Sequence, residues 1–268
     1  MKFDSNLAWK QASAAISANR EVVLALAGVF FLVPGLATSL LFPAPQPTAG
    51  MDSKEAAAVI ADYYSTILPY LLPLVLFQAA GTLALLTLMT DRSRPTVGEA
   101  IRSGAKGVFA YVLAQVLLGV AVGLIGGAVL AIGTATGIGA LTVVGLAGVG
   151  LLVIYAAIKT SLVGPVVAVE GERNPVAALK RSWLLTSSNS LRIGVFYLLV
   201  GLAFLVVTSV IVAVAGIIAA LIGGAHAGEI AGAVISSALN AVMALYFVAI
   251  VAATHRQLAG PSSSDVFE

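Results

Sequence analysis

The sequence predicts an all-α polytopic membrane bundle: six transmembrane helices with short interfacial helices on one side. Three observations carry that expectation. Of the 268 residues, 60% are apolar and only 10% are charged, where a soluble domain is about 45–50% apolar and about 25% charged. So few ionic groups leave a surface of this size without a polar coat, and the mean hydropathy of +1.05 points to lipid as the solvent. Six apolar stretches are each long enough to cross a hydrocarbon core of about 30 Å, which takes about 20 helical residues. Finally, the basic residues fall in alternate loops along the whole chain.

The six spans run Val22–Phe42, Ile67–Thr90, Gly107–Ile132, Leu141–Val169, Ile193–Ile222 and Ile230–Ala253. Helix is the expected form, because continuous apolar runs lack the in/out alternation of barrel strands. Lys2, Lys10 and Arg20 precede the first span, and Arg92, Arg94, Arg102 and Lys106 lie between the second and third. Arg173, Lys180, Arg181 and Arg192 lie between the fourth and fifth, and Arg256 follows the sixth. The opposite loops hold only Lys54, and Lys159 falls inside a span. Cytoplasmic loops carry such an excess, so both termini are expected in the cytoplasm. The first span is expected to be retained, since about twenty residues make too long a charged leader for a signal peptide. In the largest outer segment, 43–66, Asp52 ahead of Lys54 and Glu55 opens a helix that runs into the second span.

The composition also excludes function classes. A net charge of +2 is too small for a nucleic-acid footprint. The absence of cysteine removes disulfides, iron–sulfur clusters and thiolate zinc. Two histidines, His226 and His255, leave no histidine-built metal centre, so neither a metal nor a cofactor is expected.

Each pair of spans follows a basic, semi-apolar segment, at 7–19, 96–106 and 175–189. These are read as interfacial helices, and the layout suggests a threefold repeat of surface helix plus transmembrane hairpin. The third segment has the clearest start, with Asn174 as N-cap and Pro175 at the first helical position. Both tryptophans, Trp9 and Trp183, fall in these segments, as expected of rings that prefer the headgroup level.

Within the third segment, Glu170-Gly171, then Ala178-Leu179-Lys180-Arg181-Ser182-Trp183, then Leu185-Thr186 resembles an inner loop found in a bacterial family. These are the YciC-like proteins and the membrane domain of glycerophosphoryl diester phosphodiesterases. The resemblance implies a bacterial inner-membrane protein linked to lipid or envelope processes, with membrane lipids and envelope proteins as partners. In the fused relatives the phosphodiesterase activity belongs to a separate soluble barrel. His255-Arg256 imitates the start of that barrel's His-Arg-Gly motif, but Gln257 breaks it and no acidic partners follow. The pair is expected to sit at the membrane edge, and no catalytic residue is assigned.

Lys159 is the most informative single residue. Ten residues before Val169, it falls about 15 Å inside the expected fourth span, where an ammonium costs about 2.5–3.5 kcal/mol on insertion scales. Tyr155, Gln78, Gln115 and Asn240 are candidate partners, and together they form a candidate intramembrane polar cluster. Arg173, Lys180, Arg181, Arg192 and Trp183 join Lys159 as candidate lipid-phosphate ligands, since a cation near an anionic leaflet contributes about 1 kcal/mol. Topological use of the loop charges and snorkelling of Lys159 are the structural alternatives. The functional expectation is therefore a non-catalytic membrane protein that engages phospholipid. A small transporter or channel with a polar pathway near Lys159 is the alternative.

Overall fold

The computed structural model describes residues 2–43, 45, 50–90 and 95–260. Arg92 and Arg94 lie outside the described residues. Among the described residues every regular element is a helix, and six helical runs have the length and apolarity to cross a membrane. The all-α bundle is therefore what the chain forms.

Local signals set where the helices begin. Asp4 caps α1 (Ser5–Ala18), its Oδ1 accepting from the Leu7 amide at 3.0 Å. After Asn19 the chain turns into α2 (Arg20–Ala27), passes through a π turn at Gly28–Leu32 and continues as α3 (Val33–Leu41). Pro34 explains the π turn: it offers no N–H to the Phe30 carbonyl, and the Val33 amide instead reaches back five residues to the Gly28 carbonyl. Asp52 opens α4 (Ser53–Thr90) as the sequence predicts, its Oδ1 accepting from the Lys54 and Glu55 amides, both at 2.8 Å. A reciprocal Thr96–Glu99 capping box starts α5 (Val97–Ala135). A turn through Gly137, at φ +68°, leads to α6 (Gly139–Thr160). The short α7 (Val163–Ala168) and α8 (Pro175–Thr186) follow. The last element, α9 (Ser190–Ala259), comprises two limbs, Ser190–Gly224 and His226–Ala259, which fold back at Gly224 with φ +80°.

Several boundaries differ from the sequence expectation. Residues 96–106 are not a separate surface helix but the first turns of α5. The capping box sets the start and nothing in Arg102–Lys106 interrupts the helix, so the middle copy of the expected repeat lacks its surface element. The fourth span, expected as one helix from Leu141 to Val169, breaks after Thr160 into α6 and α7. Pro165, on α7, has no amide to donate to Ser161. By contrast 7–19 and 175–189 do form distinct helices, as α1 and α8.

The core lies at one end of the bundle. Leu83, Leu85 and Leu86 of α4, Ile193 at the start of α9, and Leu245 and Ile250 near its end are essentially fully buried. At their centre sits α7, with Val163, Val166 and Val167 all at 0% exposure and with α4, α5, α8 and α9 around it. Gly104 permits the crossing of α4 and α5, since a Cβ there would stand 2.8 Å from the Ala84 amide nitrogen. Arg20, Arg173, Lys180 and Arg256 lie near these buried helix ends, so this is the basic end. The residues before α1 are tied to both ends of α9 here: the Asp4 amide donates to Gln257 Oε1 at 3.0 Å, Gln257 Nε2 donates to the Asp4 carbonyl at 3.1 Å, and the Phe3 amide donates to Asn189 Oδ1 at 2.9 Å.

Candidate functional site

The break between α6 and α7 generates the site. A helix C-terminus leaves carbonyls without intrahelical donors, and α8 supplies them. Ser182 Oγ donates to the Lys159 carbonyl at 2.8 Å while accepting from the Leu162 amide at 3.1 Å, so a single hydroxyl closes the gap. Thr186 Oγ1, one turn further along α8, lies 3.3 Å from the same carbonyl but is closest to the Ser182 carbonyl of its own helix, at 3.0 Å. Ala178, Ser182 and Thr186 form the buried face of α8, all at 0% exposure. The helix itself is fixed by Asn174, whose Oδ1 accepts from the Val176 and Ala177 amides, with Pro175 next. That spacing accounts for the Ser-Trp-x-Leu-Thr pattern of this segment: serine and threonine face inward at i and i+4, and tryptophan stands beside them.

Lys159 is only 4% exposed, yet among the described residues it pairs with no carboxylate. Its Nζ lies 5.5 Å from the Tyr155 ring centroid and 5.2 Å from that of Trp183, and the two rings meet edge to face at 5.5 Å. Ring quadrupoles attract a cation by about 0.5–2 kcal/mol, more as it loses water. Tyr155 is thus the partner that sequence proximity indicates, through its ring face. Trp183, expected as a lipid ligand, is the second partner. Both rings remain largely exposed, so the ammonium is sheltered by groups that themselves face outward. Lys159 also lies in the last turn of α6, at a helix end rather than deep within a continuous span.

Beside this junction Glu170 joins two elements. Its Oε2 accepts from Arg181 Nε and its Oε1 from His255 Nε2, both at 2.9 Å. An ionised carboxylate carries no proton, so His255 Nε2 is the donor. The His255 bond, reinforced by Arg181, holds the Glu170 carboxyl down to about 2. His255 is 4% exposed, so it is enclosed by the helices around it. The contact crosses 85 residues, and no sequence spacing announces it. Glu170 was visible only as part of the Glu-Gly pair in the family-like stretch.

The remaining expected residues divide into two groups. Arg173 Nη1 reaches a carbonyl at the end of α7, that of Val167, at 3.4 Å. It passes over Gly107, where a Cβ would stand 2.5 Å from it. Arg181 is neutralised by Glu170, whereas Lys180 and Arg192 are exposed and form no ion pair among the described residues. The expected polar cluster is not assembled. Gln115 and Asn240 are exposed, Gln78 is half-buried, and no hydrogen bond links the three among the described residues.

No family model matches the chain, and neither a curated protein nor a solved structure does.

Proposed function

We propose that this is a non-catalytic protein of the bacterial inner membrane that engages anionic phospholipid headgroups along α8, with both termini in the cytoplasm. The observation that carries the reading is the division of labour among the basic residues. Arg181 pairs with Glu170 and Arg173 reaches the Val167 carbonyl, while Lys180, one helical turn from the outward-facing Trp183, and Arg192 are exposed and form no ion pair among the described residues. Such an arrangement suits the headgroup layer, where an aromatic ring sits at the interface and free cations meet lipid phosphate. The ammonium of Lys159, held between two exposed rings, adds positive potential under the same face. The family-like stretch 170–186 supports the inner membrane as the location, and the basic loops support cytoplasmic termini. Envelope proteins are proposed as partners on the same resemblance.

The test is lipid retention by the purified chain after detergent exchange. Replacing Lys180 and Arg192 together by Gln is expected to reduce the preference for anionic over zwitterionic lipid, and Lys159→Met to reduce it less. Arg181→Gln is expected to change stability more than lipid preference, because Glu170 already holds that guanidinium. Equal retention of both lipid classes by the unaltered protein would overturn the proposal.

A further inference from the structure

A cleft of about 260 Å³ opens at the basic end between α1, the end of α4 and the end of α9. Its wall on α1 is Gln11, Ala14, Ala15 and Ala18, positions that share one helix face. The alanines leave the space open. Leu88 and Met89 line it from α4, and Asn19 and Arg256 complete it. This α1 face is separate from the one that packs into the core through Ala8, Ala12 and Ile16.

Two of the polar groups have unused bonding capacity. Arg256 carries the lining's single formal charge and pairs with no carboxylate among the described residues. Gln11 Oε1 is enclosed and accepts no hydrogen bond, although a buried acceptor left empty costs about 1–3 kcal/mol. The cleft therefore offers a planar cation suited to phosphate, an acceptor that needs an O–H or N–H donor, and apolar walls. Once the Gln11 side chain turns this shielded acceptor toward the cleft, a neutral hydroxyl complements it better than an ammonium, because a guanidinium is already present.

We infer that this cleft binds the headgroup of an anionic, hydroxyl-bearing phospholipid, with its phosphate on Arg256, its hydroxyl on Gln11 and its glycerol backbone against Leu88 and Met89. The inference rests on the reading of the protein as one that engages phospholipid, but it uses none of Lys159, Lys180 and Arg192.

The delipidated full chain in detergent is examined by native mass spectrometry and thermal unfolding with phosphatidylglycerol, phosphatidylcholine or free glycerol phosphate. One phosphatidylglycerol is expected to stay bound and raise Tm, with neither effect from the other two. Arg256→Gln, and independently Ala15→Leu, which fills the cleft and keeps the charge, are expected to weaken that binding about tenfold. The unliganded Tm of each variant reports whether it has folded. The Lys180→Gln/Arg192→Gln pair is expected to keep the bound lipid. Loss of the lipid in that pair, with retention in Arg256→Gln and Ala15→Leu, would overturn the cleft and leave the α8 reading standing. Retention in the pair together with loss in the cleft variants upholds the cleft whatever becomes of α8. Binding of free glycerol phosphate as tight as that of the lipid would also overturn the inference.

Discussion

The two ends of this bundle are built on different terms. At the basic end, α7 is enclosed, Ser182 bridges a broken helix, and Glu170 ties α8 to α9. At the other end the helices pair as hairpins, Gly133 of α5 against Thr142 of α6 and Gly228 against Gly216 within α9, but bury few side chains. Beyond Ala114 only Gly126 and Gly133 of α5 are buried, before Ala156 no residue of α6 is, and beyond Ile193 none of the first limb of α9 is. Apolar side chains can remain unpacked there because lipid is as apolar as leucine and exacts no hydrophobic cost. Specific structure is concentrated where the chain carries polar groups that need partners. In such a fold, helix length reports the solvent and polar side chains report the tertiary contacts.

That contrast can be broken most directly with glycines. Gly104→Leu is expected to have the largest effect, because a Cβ there already meets the Ala84 backbone at 2.8 Å and overpacking costs about 1–3 kcal/mol or more. Loss of the folded peak in detergent size-exclusion chromatography checks it. Gly119→Leu and Gly123→Leu, also on α5, meet nothing within 4 Å and are expected to leave Tm within a degree or two, as surface changes do. Equal damage at Gly104 and Gly119 would dissolve the comparison.

The next effect is at Ser182. Ser182→Ala removes the hydroxyl bridge between Lys159 and Leu162 and is expected to cost about 1–3 kcal/mol, read as a fall in Tm. Lys159→Met should be milder, since it exchanges a cation–π contact of about 0.5–2 kcal/mol for apolar packing. A large loss there would mean that the ammonium has a polar partner beyond the two rings.

The smallest expected effect concerns pH. The Glu170 carboxyl titrates at about 2 in the folded chain against 4.5 ordinarily, so the unfolded chain binds the proton first. The stabilising contribution is complete above about 4.5 and is lost as the pH falls toward 2. His255→Ala removes the main cause of the depression, so the variant is expected to be less stable at neutral pH and to lose less over that acid range. An identical acid profile would show that the Glu170–His255 bond contributes nothing.

The fold was largely legible because its signals are local and cumulative. Asp52 and Asn174 mark helix starts by side-chain capping alone, and the six apolar runs need only their length. The break after Thr160 was half legible: Pro165 is a local sign of it, whereas Ser182, which bridges it, lies 20 residues beyond Leu162. The site was legible in its residue types more than in its pairings. Lys159 stood out by its cost in lipid and Tyr155 by its spacing, but Trp183 reaches the same ammonium from another helix. Glu170 and His255 gave no local sign of each other, and the expected cluster of Gln78, Gln115 and Asn240 failed because similar depth does not place residues on facing sides of neighbouring helices.

Site-specific labelling tests the central claim, a six-span bundle with its basic end on the inner face, most directly. The chain has no cysteine, so single cysteines at Met51, Gly98, Thr136, Ser188 and Ala227 report sidedness without background. In intact cells, an impermeant thiol reagent is expected to modify positions 51, 136 and 227 and to reach 98 and 188 only after the membrane is opened. Modification of 98 or 188 from outside, or protection of 136 and 227, would contradict the account.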